Sequence, residues 1–172
     1  MKKIFLIMIS LSFVLVASLS ASEIDQIRQM QQLQDQAPSD TRLADYFDKL
    51  KAHPKDPQIH LELGKIYAER ELYQLAIASY RRALEFQPDF APAHVGLSEL
   101  FRKMGIKDWE LFEMNEAVRL SPEDPQLRLR LGILYMEPAT YDYDQAKKQY
   151  KELKKMGSPL IAELALKMGL TP

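Results

Sequence analysis

Three short stretches decide the fold: LGKIY at 63–67, LSELF at 97–101 and LGILY at 131–135. In each, a leucine is followed by a small residue and an aromatic stands three places further on. The small residues Gly64, Ser98 and Gly132 are 34 positions apart, and other residues keep the same step. Pro54, Pro88 and Pro122 do so, as do Ala83 and Ala117, and Tyr67, Phe101 and Tyr135. A fixed period of this length marks one supersecondary unit repeated in tandem, each unit burying its apolar face against its neighbours.

The chemistry of these positions predicts helical hairpins. Glycine inside a helix costs about 1 kcal/mol relative to alanine, so Gly64 needs a compensating contact. The reading is that its missing side chain lets a second helix backbone come close, with Ala76 as the matching small surface and Leu63, Tyr67 and Tyr80 packed around the pair. Ala83 then meets the next unit. Pro88 stops the second helix, because its ring clashes with the preceding turn and it has no amide proton to donate.

With positions counted from Pro57, the first unit has Leu63 at 7, Gly64 at 8, Tyr67 at 11, Ala76 at 20, Tyr80 at 24, Ala83 at 27 and Pro88 at 32. This pattern resembles the tetratricopeptide repeat (TPR) family at all seven positions. The resemblance implies an all-α, right-handed superhelical stack of antiparallel helix hairpins: about three units at 57–90, 91–124 and 125–158, a degenerate N-terminal helix pair within 22–56, and a capping helix in 159–172.

The second unit keeps Leu97, Ser98, Phe101, Gly105, Ala117 and Pro122, but Glu110 stands where alanine is expected and Met114 where an aromatic is. Glu110 predicts looser pairing of that hairpin, with Trp109 shifting the packing to compensate. The third unit keeps Leu131, Gly132 and Tyr135. Its second-helix alanine, Ala146, comes two residues late, which places an insertion in the turn EPATYDYD at 137–144. Upstream, Ser39 or Asp40 is positioned to cap a helix carrying Leu43, Tyr46, Phe47 and Leu50. Before it, IDQIRQMQQLQDQ reads as a weak helix, with a short self-associating coiled coil as the sharper alternative. At the far end, Ser158 and Pro159 suit a cap and first helical position, with Leu160, Ile161, Leu164 and Met168 along one face.

The chain opens as a secretory leader does. Lys2 and Lys3 precede thirteen apolar residues, Ile4 to Val16, and a small-residue stretch follows. We expect residues 1–21 to be a signal peptide cleaved after Ala21, or after Ser20, and a destination in the periplasm. Thirteen residues fall short of the roughly 20 that a spanning helix needs; a membrane contact is expected only if this segment stays uncleaved as an anchor. Its removal takes two lysines and no acid from 23 basic and 24 acidic side chains, leaving a formal net charge of −3. That balance argues against nucleic acid as a partner. With no cysteine in the chain, disulfides and lipidation at a cysteine are excluded.

No nucleophile elbow, phosphate-binding glycine loop or H-E-x-x-H helix appears, so neither catalysis nor a small-molecule substrate nor a cofactor is expected. His60 and His94 both occupy repeat position 4, but one repeat apart they stand on neighbouring helices at about 8–10 Å, and the third equivalent is Arg128. A structural role is expected for them, and no metal. Glu69 with Glu71, Asp142 with Asp144, and the lysine run Lys147, Lys148, Lys151, Lys154 and Lys155 read as solvated surface.

The family resemblance implies a peptide-binding groove lined by the first helices of successive units. Carried onto this sequence, it points to Leu61, Lys65, Glu69, Val95, Glu99, Arg102, Lys103, Leu129 and Ile133, with Arg130 flanking. Leu61, Val95, Leu129 and Ile133 would form an apolar floor. At the positions where some members clamp a carboxy-terminal carboxylate this chain has Leu61, Lys65, Gly96, Gln126 and Arg130, of which only Arg130 matches. A hydrophobic helix or extended segment is the better ligand. The expectation is an exported adaptor or assembly factor; the rivals are a self-assembling scaffold and a membrane-tethered one.

Overall fold

The computed structural model describes residues 41–170; the expected leader and the helix expected before Ala37 lie outside them. The chain divides between Asp48 and Lys49 into two compact units. Of the first, the described part is the opening of helix α1 (Thr41–Ala52), in which Leu43 is fully buried.

The second unit contains three helical hairpins. Helix α2 (Pro57–Glu69) packs on α3 (Tyr73–Phe86), α4 (Ala91–Met104) on α5 (Lys107–Leu120), and α6 (Pro125–Leu134) on α7 (Tyr143–Lys155). Successive hairpins touch through α3 and α4, α5 and α6, and directly between the first helices α2 and α4. Helix α8 (Ile161–Lys167) covers α6 and α7. No strand occurs among the described residues. The architecture is the all-α hairpin stack that the 34-residue period predicts.

Local chemistry places the helix ends. Asp56 and Asp124, two periods apart, cap α2 and α6 through side-chain bonds to the amides of Gln58 and Gln126, each 2.8 Å, and a proline fills the next position in both helices. At the C-termini of α4, α7 and α8, Gly105, Gly157 and Gly169 take left-handed backbone, with φ of 73°, 64° and 68°. The following amide reaches back to the helix, as in Ile106 N–H to Phe101 O at 2.9 Å. Helix α2 closes the same way, Leu72 N–H to Tyr67 O at 2.9 Å, but the left-handed residue is Glu71, with φ of 60°. A side chain there costs about 1 kcal/mol or more. Glu71→Gly should therefore raise the unfolding free energy by about 0.5–1 kcal/mol in urea titration, the gain being trimmed by glycine's freer unfolded state. Unchanged or lower stability would show that Glu71 makes a compensating contact.

The insertion acts differently from a longer turn. Helix α6 stops after ten residues, and a short 3₁₀ segment, Pro138–Thr140, follows. The Thr140 hydroxyl donates to the Leu134 carbonyl, and Asp142 N–H bonds Tyr135 O at 2.8 Å. The extra residues thus satisfy carbonyls that a full-length helix would have paired internally. The capping helix also starts later than expected: Leu160 is its N-cap, while the Ser158 hydroxyl accepts from the Leu160 amide at 3.3 Å and steers the chain into the helix. Leu164 and Met168 then enter the core formed with Leu131, Ala146 and Leu153.

Two packing expectations are corrected. At Gly64 the space is filled by the Tyr80 ring, not by an approaching backbone: a β-carbon there would lie 2.5 Å from the ring. Gly96, on the next unit, faces the same ring, and its β-carbon would lie 2.7 Å away. Tyr80 is therefore wedged between α2 and α4. Gly132 makes room for Leu164 of the capping helix instead. The second correction concerns Glu110, which does not loosen its hairpin. Its carbonyl accepts from the Ser98 hydroxyl at 3.1 Å, and its buried carboxylate meets Lys107 Nζ at 2.9 Å. Lys107 bridges onward to Glu137 at 2.6 Å. The hydrogen bonds to Glu137 and Glu110 hold its pKa above the ordinary lysine value. Trp109 does not enter the core; it is half exposed, with rings stacked on Phe101 and edge-on to Phe112.

Candidate peptide-binding groove

The first helices α2, α4 and α6 present Lys65, Val95, Glu99, Arg102, Arg130 and Ile133 around two cavities. The larger, of about 370 Å³, lies beside Lys65 of α2 and Val95 and Glu99 of α4, and reaches Asp124 and Leu127 at the start of α6. The smaller, of about 130 Å³, is bordered by Arg102, Met114, Arg130, Ile133 and Glu137. Glu99 and Arg130 connect the two, their side chains pairing at 2.9 Å from α4 to α6. Lys65 Nζ sits 2.7 Å from Glu62 on its own helix. Such exposed pairs contribute little to stability, so they are free to rearrange around a ligand.

Six of the ten expected groove residues border these cavities. Glu69 and Lys103 are exposed on α2 and α4 but line neither. Leu61 and Leu129 do not form an open floor, being 2% and 4% exposed. The accessible apolar surface comes from Val95 and Ile133 together with Pro92; Leu127 also borders the larger cavity but is itself buried.

Tyr80 borders the larger cavity although it belongs to a second helix, and sequence reasoning assigns it to packing alone. The signal lies in Gly96: a second glycine in a first helix leaves room that a long side chain from the neighbouring hairpin can fill. Burial, and the negative charges of Glu99, Glu62 and Glu69, raise the Tyr80 phenol above its ordinary value, so the hydroxyl keeps its proton.

The histidines have structural partners. His60 Nε2 lies 2.9 Å from the Pro54 carbonyl with its ring beside Phe86, and His94 Nδ1 lies 2.7 Å from the Glu113 carboxylate. Among the described residues no cluster of His, Cys, Asp or Glu is arranged to hold a metal ion, and no helix is long and apolar enough to cross a membrane.

Residues 64–105 match the family described as TPR repeat, the span from the first small residue to the end of α4. Among solved structures, the fold is similar to that of MamA, 23% identical with a TM-score of 0.57 over 73% of this chain and 75% of that one. It is also similar to a thermophilic TPR protein of Thermus thermophilus, 24% identical with a TM-score of 0.54 over 86% of this chain and 83% of that one. These likenesses establish the TPR-type hairpin stack. A curated relative, the uncharacterized protein ycf37 of Cyanophora paradoxa, is 30% identical over 76 residues. The match takes in 44% of this chain and spans 44% of that protein's length.

Proposed function

We propose that this chain is a non-catalytic protein-interaction module whose concave side binds a peptide or helix of another polypeptide, and that it serves as an exported adaptor or assembly factor, in the periplasm. The observation that carries the binding reading is the cavity pair joined by Glu99 and Arg130: apolar surface from Val95, Pro92 and Ile133 lies beside charged groups already positioned to switch partners. Apolar contacts of this kind supply affinity, and the charged rim sets register. The leader-like opening of the sequence supports export.

The test is a pull-down from envelope extract with the purified protein and a Val95→Asp/Ile133→Asp variant. Both side chains are partly exposed, so the variant should keep its helical circular dichroism while partner recovery falls about tenfold or more. Full recovery of every partner by the folded variant would remove the groove from the mechanism. Leu61→Asp and Leu129→Asp would not serve, since a charge at either buried site threatens the fold itself.

A second reading, self-assembly, draws support from Trp109 and Phe112, 49% and 54% exposed on one side of α5. An apparent mass that rises with protein concentration in light scattering would favour it over the adaptor.

A further inference from the structure

We infer that the larger cavity is a specificity pocket for a basic side chain, lysine or arginine, of the bound polypeptide, held by the Tyr80 hydroxyl and the carboxylate of Glu99. This rests on the groove reading above and names what one part of the groove selects.

Tyr80 provides the first observation. Its side chain is 3% exposed, fixed between Gly64 and Gly96, and borders the cavity, yet its hydroxyl makes no hydrogen bond among the described residues. Among the described residues no side-chain polar atom is both enclosed and unpaired, so the hydroxyl keeps contact with solvent, and with Tyr80 bordering the cavity it is a group that a ligand entering there can bond. The second observation is charge. Glu99 and Asp124 both border the cavity. Arg130 engages only Oε1 of Glu99, and the amides of Gln126 and Leu127 engage only Oδ1 of Asp124, so each carboxylate keeps an oxygen for a ligand. Among the described residues Lys65 is the one cation on the cavity wall, and Glu62 already neutralises it. The negative field at the Tyr80 hydroxyl, to which Glu99, Glu62 and Glu69 contribute, points the same way.

The shape agrees. Pro92, Val95 and Leu127 offer an apolar wall along which the methylene stem of a lysine or arginine can lie while its head stays among polar groups. The phenol oxygen can accept from that head while the carboxylates supply charge-assisted bonds. Arg130 is then an internal competitor, which a stronger ligand cation displaces from Glu99.

The experiment uses synthetic 12-residue peptides with a fixed apolar frame and each residue type in turn at one central position, bound to the purified protein at low salt. Peptides with central Arg or Lys should bind about tenfold more tightly than those with Ala or Glu. Glu99→Gln should bring that ratio close to one, Tyr80→Phe, which keeps the wedge, should lower it severalfold, and Arg130→Ala should raise it. If the wild-type protein binds the apolar frame with no basic preference, or Glu99→Gln retains the preference in full, the inference is overturned and the groove reading stands. If no peptide binds the wild-type protein at all, the groove reading fails and takes the pocket with it.

Discussion

Replacing Gly96 with leucine should destabilise the protein by about 3 kcal/mol, the upper part of the range for overpacking a filled core. The side chain would have to occupy space held by the Tyr80 ring, since even a β-carbon would come within 2.7 Å of it. The same ring also packs on Gly64 of α2, where a β-carbon would lie 2.5 Å from it, so a shift that relieves one helix is resisted by the other. Gly64→Leu should cost a similar amount. The decisive measurement is a double-mutant cycle in urea: Tyr80→Ala alone loses about 3–5 kcal/mol by leaving a cavity, but Gly96→Leu combined with Tyr80→Ala should cost at least about 2 kcal/mol less than the two separate losses together. Strict additivity would mean that the glycines and the tyrosine do not share one space. Gly105 offers a contrast, for a β-carbon there meets nothing within 4 Å and the penalty would come only from its left-handed backbone.

The second large effect is expected at His94 and Glu113. Both residues are buried, 9% and 7% exposed, and their side chains meet at 2.7 Å between α4 and α5. Removing one partner strands the other in a poorly solvated place, so His94→Ala should cost about 3 kcal/mol. Replacing both with leucine should restore most of the loss, because an apolar pair of similar volume has no desolvation to offset. Chemical denaturation of the two single variants and the double variant tests this. If His94→Ala and the double variant lose the same amount, the side chains matter through volume and not through their bond.

The period of 34 makes the hairpins legible in the sequence, because the residues that fix helix pairing and helix ends recur in register: the prolines at 54, 88 and 122, and the small residues at 64, 98 and 132. The contacts made at those positions are less legible. A glycine announces that something needs room, but not whether a backbone or a ring will take it, and Tyr80 and Leu164 fill that room from different elements. Glu110 looks misplaced because the repeat asks for alanine there; the carboxylate's route out to Lys107 depends on a neighbour three residues earlier, and on the way the insertion brings Glu137 within reach. Groove positions inherited from a repeat pattern likewise report which way a helix face points, not what covers it. Leu61 and Leu129 face the expected way by count and are nonetheless shielded.

Repeat position 4 differs from one hairpin to the next. His60 and Arg128 both bond the carbonyl of the proline six residues before them, Pro54 and Pro122, while His94 turns to Glu113; Arg128 also reaches Gln149, which occupies the site equivalent to Glu113. The corresponding residue of the first hairpin is Ser79. Near-identical modules in one chain risk joining the wrong sister as they collapse, or exchanging arms between molecules. Were α4 to take α3 or α7 as its hairpin mate, His94 would stand opposite Ser79 or Gln149, neither of them an acid, and the wrong union would forfeit its bond to a carboxyl group. The bond between His94 and Glu113 is thus one that neither sister hairpin can offer to α4.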